Sequence, residues 1–218
     1  MSGAPLPRHL GLTLLAFVLL AAGIALVAYP RFAERREDAR ELRLLAEWST
    51  QAAWTAPLSA PATTAAAPAP PAWREIDGAK VLGTVSIGRL AISEPIVYGA
   101  DAAALRRGAG TVVEGPLPGR PGNFVLAGHR SLTRGRHFNR LGEAVFGDTV
   151  DIDTSAGRST YRVTDIRIVE PEDLSVLRSA AAGESELTLV TCHPRKHPTH
   201  RLIVHAVLIK NNDRTGDL

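Results

Sequence analysis

The chain has 218 residues, room for one domain of ordinary size with appendages, and 45% of them are hydrophobic but only 5% aromatic, so Val, Leu, Ile and Ala must carry the core. A formal net charge of +3, with no Lys/Arg stripe interleaved with aromatics, excludes a nucleic-acid partner from the expectations and suits an anionic cell surface instead. A single cysteine excludes an intramolecular disulfide framework and leaves Cys192 as either a small buried hydrophobe or a thiol kept for reaction.

Met1–His9 is short and polar. Leu10–Tyr29 is then free of charge, long enough for a helix of roughly 30 Å that crosses a bilayer. The run exceeds the usual signal-peptide core of about 7–15 residues and lacks an A-x-A site before Pro30, so a retained transmembrane helix is expected, not a cleaved signal. Arg31, Arg35, Arg36, Arg40 and Arg43 follow, and Lys/Arg counting alone would hold that side in the cytoplasm. Residues 30–49 form a charged juxtamembrane segment whose helix is undermined by like-charge pairs at Glu34–Asp38, Glu37–Glu41 and Arg36–Arg40. Residues 50–72 are rich in Ala, Pro and Thr and read as an extended stalk reaching up to roughly 70 Å.

From Val81 onward the pattern is β. Runs rich in β-branched residues and bounded by turn formers predict strands at Val81–Leu90, Ile96–Val97, Asn123–Ala127, Thr149–Asp153, Thr160–Val169, Leu187–Thr191 and Leu202–Ile209. Short helices are predicted at Ala102–Arg107 and Phe138–Ala144. Successive short strands predict an all-β barrel or sandwich in a domain spanning 73–210, followed by a polar tail at 211–218.

The chemistry gathers around Glu186–Lys210. Cys192 ends one predicted strand and Arg201 begins the next, so pairing of the two would bring a thiol and a guanidinium to one rim of a sheet. In Leu202–Ile209 both faces are mainly apolar, which predicts an interior strand with Arg201 at its rim, either seeking an anionic partner or simply exposed. Thiolate is the nucleophilic form of cysteine, and a nearby cation favours it. His129, in Ala127–Arg130 at the end of another predicted strand, can supply the proton-transfer group that acyl transfer requires. Zinc ligation by Cys192, His193, His197 and His200 is the competing reading. Pro194 and Pro198 break the helix that would align His193 with His197, and no second ligand pair stands at finger-like spacing, so no metal is expected. The loop histidines then read as solvated or as walls of a substrate groove, and His205 as a packed or hydrogen-bonded strand residue.

Leu187-Thr188-Leu189-Val190-Thr191-Cys192, with Arg201 nine residues on, resembles the sortase signature TLxTC and its strand-opening arginine. Ala127-Gly128-His129 is similar to the sortase histidine motif, and Phe138-Asn139-Arg140-Leu141 follows it as the family's F..L segment does. Thr191-Cys192-His193-Pro194 and Gly128-His129-Arg130 resemble class E, the housekeeping type of actinomycetes, with class D the nearest alternative. A single N-terminal span fits both better than the pilus-building class C.

This resemblance covers about Val81–Ile209 and implies an eight-stranded barrel outside a Gram-positive cell membrane, against the Lys/Arg count. It implies that Cys192 attacks the Thr carbonyl of an LPxTG or LAxTG sorting motif, that His129 serves as general acid/base, and that Arg201 orients substrate and stabilises the oxyanion. Thr191, His193 and Arg130 are candidates for the groove. The implied partners are surface proteins carrying a sorting signal and a peptidoglycan precursor, a lipid II-type amine acceptor; no cofactor is implied. A hydrolase sharing the acyl-enzyme, a pilin-type sortase and a non-catalytic cell-wall-binding β-domain remain alternatives.

Overall fold

A computed structural model of the chain describes residues 17–26, 28–29, 71–112, 115–132, 135–178 and 183–213. The chain divides into two units, Met1–Ala39 and Arg40–Leu218. In the first, residues 17–26 (α1) and 28–29 are helical with exposed side chains. No helix among the described residues is long and apolar enough to cross a membrane. The rest of the expected span, the juxtamembrane segment and the stalk up to residue 70 lie outside the described residues.

The described residues of the second unit form nine strands: β1 (Arg74–Ile76), β2 (Ala79–Ile87), β3 (Ile92–Val97), β4 (Ala109–Thr111), β5 (Gly122–Ala127), β6 (Thr149–Thr154), β7 (Gly157–Val169), β8 (Ser185–His193) and β9 (His200–Asp213). Hydrogen bonding runs β2-β3-β4-β5-β8-β9-β7-β6, and β6 returns to β2 through Gly83–Ser86 opposite Asp151–Thr154. Eight strands therefore close a barrel, as the resemblance implies, and closure removes the exposed edges. β1 lies outside the ring as a hairpin partner for the start of β2.

Two-residue alternation explains the core. On β9, Leu202, Val204 and Ala206 are buried in the barrel cluster while Arg201, His205 and Val207 alternate with them toward the outside. Leu187 and Leu189 of β8, Leu126 of β5, and Leu82 and Val85 of β2 join the same cluster. Each such fully buried aliphatic side chain contributes about 1.5–3 kcal/mol. Tyr161 is the largest fully buried side chain, and its hydroxyl accepts from Gly119 N at 2.7 Å.

Several elements depart from the sequence reading. β1 was not predicted, nor was β4, a three-residue strand in a Gly-rich stretch too short to show periodicity. The predicted strand Val81–Leu90 stops at Ile87, because Gly88–Leu90 is a 3-10 turn closed by Ala91 at φ 49°. Ala102–Leu105 is a single helical turn (α2), capped by Asp101, which accepts from the amides of Ala103 and Ala104. Phe138–Ala144 contains only a 3-10 turn at Leu141–Glu143. β9 runs through Asn211 into the expected tail, where Ser159 Oγ donates to Asn211 Oδ1 at 2.8 Å across β7.

Candidate active site

Antiparallel pairing of β8 and β9 sets Cys192 opposite Arg201 and His193 opposite His200. Cys192 is partly exposed at the rim, and Arg201 Nη1 stands 3.8 Å from its sulfur while also donating to His200 O at 3.2 Å. A planar donor fork beside a thiol is where an oxyanion forming on an attacked carbonyl would be stabilised.

Parallel pairing of β5 with β8 brings the histidine segment alongside, with Ala127 opposite Val190. Past that point the two chains stay joined. Gly128 N donates to Val190 O at 2.9 Å, and Thr191 Oγ1 donates back to Gly128 O at 2.8 Å. His129 thus lies two residues beyond Ala127, as Cys192 lies two beyond Val190, and His129 is exposed. Gly128 must be glycine, since a Cβ there would stand 2.2 Å from the Phe138 ring. Phe138 N donates to His129 O at 3.0 Å, which fixes the turn that carries the imidazole.

The three groove candidates resolve differently. Thr191 is 2% exposed and points into the barrel, so it does not line a groove; it is the buried clamp between the cysteine strand and the histidine segment. Its alternation with the inward-facing Leu187 and Leu189 explains why. Arg130 braces the same junction, donating through Nη1 to Cys192 O at 3.0 Å and meeting His193 Nδ1 at 3.0 Å. Its guanidinium lies where a Cβ on Gly142 would intrude, at 2.2 Å from Nη2. Burial, Arg130 and His200 together hold the His193 pKa below its ordinary value, which fits Nδ1 acting as acceptor in a neutral ring. His197 is exposed at φ 53°, and His200 pairs with Glu170 at 3.2 Å. Among the described residues, no three His, Cys, Asp or Glu side chains are placed to hold a metal.

Two polar groupings escaped the sequence reading. Thr188 Oγ1 donates to Asn123 Oδ1 at 2.8 Å and lies 2.9 Å from His205 Nδ1. Asn123 Nδ2 in turn reaches the carbonyls of Val176, Leu177 and Arg178 at 3.4, 3.2 and 3.4 Å, tying the 3-10 turn Leu174–Leu177 to the outer face of the sheet. Outward-facing Val125 and Ile203 are fully buried and Val190 is half-buried, so this outer face is apolar and covered except near Val190, next to Cys192. The second grouping is Glu94 and His137, a buried pair at 2.9 Å. No sequence spacing announces either one.

A family model described as a sortase domain matches residues 85–209. Sortase D of Bacillus subtilis strain 168 is 29% identical over 182 residues, covering 81% of this chain and 86% of that protein. Sortase A of Streptococcus agalactiae serotype III is 36% identical over 137 residues, 61% of this chain and 55% of that protein. Among solved structures, sortase C-1 from Actinomyces oris superposes with a TM-score of 0.56 at 30% identity, over 60% of this chain and 75% of its own. A Clostridium perfringens sortase D5 transpeptidase does so with a TM-score of 0.54 at 28% identity, over 60% and 79%.

Proposed function

The chain belongs to the sortase family of cysteine transpeptidases, and from that premise we propose that it joins proteins bearing an LPxTG- or LAxTG-type signal to a cell-wall amine, as a class E-type housekeeping enzyme of an actinomycete. Cys192 thiolate attacks the carbonyl carbon of the signal's Thr. The carbonyl electron pair moves to oxygen, where the Arg201 guanidinium receives the charge. Collapse breaks the Thr–Gly bond, and His129 gives its proton to the departing glycine nitrogen, leaving a thioester on Cys192. An incoming amine, on a peptidoglycan precursor such as lipid II, loses a proton to His129 and attacks the thioester. The second collapse expels the thiolate and forms the new amide.

One observation carries this reading: the pairing of Cys192 with Arg201, 3.8 Å from guanidinium to sulfur, beside a histidine segment clamped to the same strand. The signal's apolar residues would lie against half-buried Val190 beside Cys192, bounded by the Leu174–Leu177 turn. Anchoring through Leu10–Tyr29, with the barrel outside on its stalk, belongs to the same proposal; it predicts that protease added to intact cells removes the barrel and leaves the span.

The test incubates the full chain in detergent with fluorogenic LPxTG and LAxTG peptides, with and without an added amine. A thioester mass that Cys192→Ala abolishes, plus an amine-ligated product, is expected, and the better peptide reports motif preference. Water-cleaved product alone would turn the reading to a hydrolase, and no adduct from folded protein would turn it to a binding domain.

A further inference from the structure

We infer that Glu94 and His137 form a buried positioning dyad that sets the orientation of His129 from behind, so that His129 answers to an interior carboxylate–imidazole pair. The inference rests on the catalytic role proposed for His129.

Glu94 shares a face of β3 with Ile92 and Ile96, both members of the barrel core, so its carboxylate points into an apolar interior. Such a group is costly unless paired. Its partner is His137, whose Nδ1 lies 2.9 Å from Glu94 Oε2, with both side chains only 3% exposed. His137 also sits at φ 48°, a region uncommon for residues other than glycine and costly by about 1–2 kcal/mol for most L-residues. Burial cost and backbone strain therefore fall together on one histidine.

That histidine touches one ring of functional interest. The His129 and His137 rings meet at 6.2 Å between centroids with an interplanar angle of 65°, an edge-to-face arrangement. Backbone hydrogen bonding supports the same alignment, since Phe138, the next residue, donates its N–H to His129 O at 3.0 Å. Carboxylate, His137 ring and His129 ring thus form a chain from barrel interior to rim.

In a buried site the pair favours a form with no net charge, one proton shared between carboxylate and ring. The end nearest His129 is then the positive end. It opposes protonation of His129 while leaving the pair neutral at long range. Titratable and charged groups on the surrounding elements are Arg136, Arg140 and Glu143 in the same loop, Arg130 after β5, Cys192 on β8 and Arg201 on β9, and none changes in the variants below.

The test compares the full-length wild type, Glu94→Gln, His137→Asn and His137→Ala, each checked for folding by its thermal transition. Asn suits a left-handed backbone position and retains a donor toward Glu94. Peptide turnover is measured against pH, and the ring protons of His129 are followed by NMR titration in the same proteins, a readout that needs no substrate. The expected result is a kcat loss of about tenfold in His137→Ala with KM within about twofold, as misplacement of a proton-transfer group predicts. His137→Asn recovers part of that loss. In Glu94→Gln the His129 titration and the acid limb of turnover move together to higher pH by about half a unit, the removal of a nearby positive end. Folded variants with only a lower thermal midpoint, and with kcat, pH limb and His129 titration as in wild type, would reduce the pair to a structural tie and overturn the inference. Should the wild type turn over no peptide, the proposed transfer of LPxTG- or LAxTG-type signals fails on that arm, while the His129 titration still decides the dyad.

Discussion

The outer face of β8 and β9 is used in two opposite ways. At its rim, Cys192 and Arg201 pair across the strands and leave a partly exposed sulfur. Four residues inward along the same face, Thr188 pairs with His205, and there a run of polar contacts is made within the protein, from His205 through Thr188 to Asn123 and the carbonyls of the covering turn. Register and alternation are the same at both places. What differs is closure: one end is covered by the Leu174–Leu177 turn, and the other is left partly open at Cys192. Polar groups inside a fold are stabilising when satisfied and reactive when withheld from internal partners.

The open end gives the largest effects. Cys192→Ala abolishes thioester formation, read by intact mass. Arg201→Lys keeps a cation but loses the planar fork, and kcat falls by about 10²–10³-fold. Near-normal turnover in that variant would separate charge from geometry and remove the oxyanion role. Next comes the junction between the two strands that carry the site. Gly128→Ala drives a methyl group into the Phe138 ring, and overpacking there costs about 1–3 kcal/mol of stability, read by denaturant unfolding. The backbone shift also moves His129, so kcat falls with it. A stable, fully active Gly128→Ala would show that the junction yields more than its contacts suggest.

At the covered end the expected effects are smaller and of another kind. Asn123→Leu removes the donor to three carbonyls and frees the turn that bounds the proposed groove. Stability drops by about 1–3 kcal/mol, and KM for the signal peptide rises while kcat stays close to wild type. An unchanged KM would mean that the turn does not bound the groove.

This contrast also explains what the sequence could reveal. The rim was legible because its residues end predicted strands: strong β-branched runs stop at Cys192 and restart after Arg201, and the antiparallel pairing follows. His129 was legible for the same reason, at the end of the Asn123–Ala127 run. Thr191 was misread as a groove residue because its motif neighbours are functional, although strand alternation turns it inward with Leu187 and Leu189. The β1–β2 hairpin carried a usable signal in Asp77-Gly78, whose φ values of 47° and 69° suit the tight two-residue turn that Asp-Gly favours. Glu94 with His137, and Asn123 with Thr188 and His205, join residues 43, 65 and 17 positions apart. Pairing of β5, β8 and β9 brings Asn123, Thr188 and His205 together, and Glu94 on β3 meets His137 from a loop distant in sequence, so no local pattern announces either meeting.

The smallest expected effect concerns pH. Burial, with Arg167 nearby, holds the His205 pKa below its ordinary value, although Asp165 and Glu186 pull the other way. A histidine whose folded pKa is depressed binds fewer protons than the unfolded chain does near and below its ordinary value of about 6.5. Its contribution to stability is therefore complete above that pH and declines as pH falls through the folded value. His193, depressed by its own burial and by Arg130, adds to the same slope. Denaturation midpoints should thus fall as the pH drops below about 6.5, and His205→Gln should flatten part of that fall. Because Thr188 and Asn123 connect His205 to the covering turn, protonation there would loosen the covered end first; KM rising on acidification before kcat declines would reveal it, whereas a simultaneous loss of both would assign the pH response to the open end.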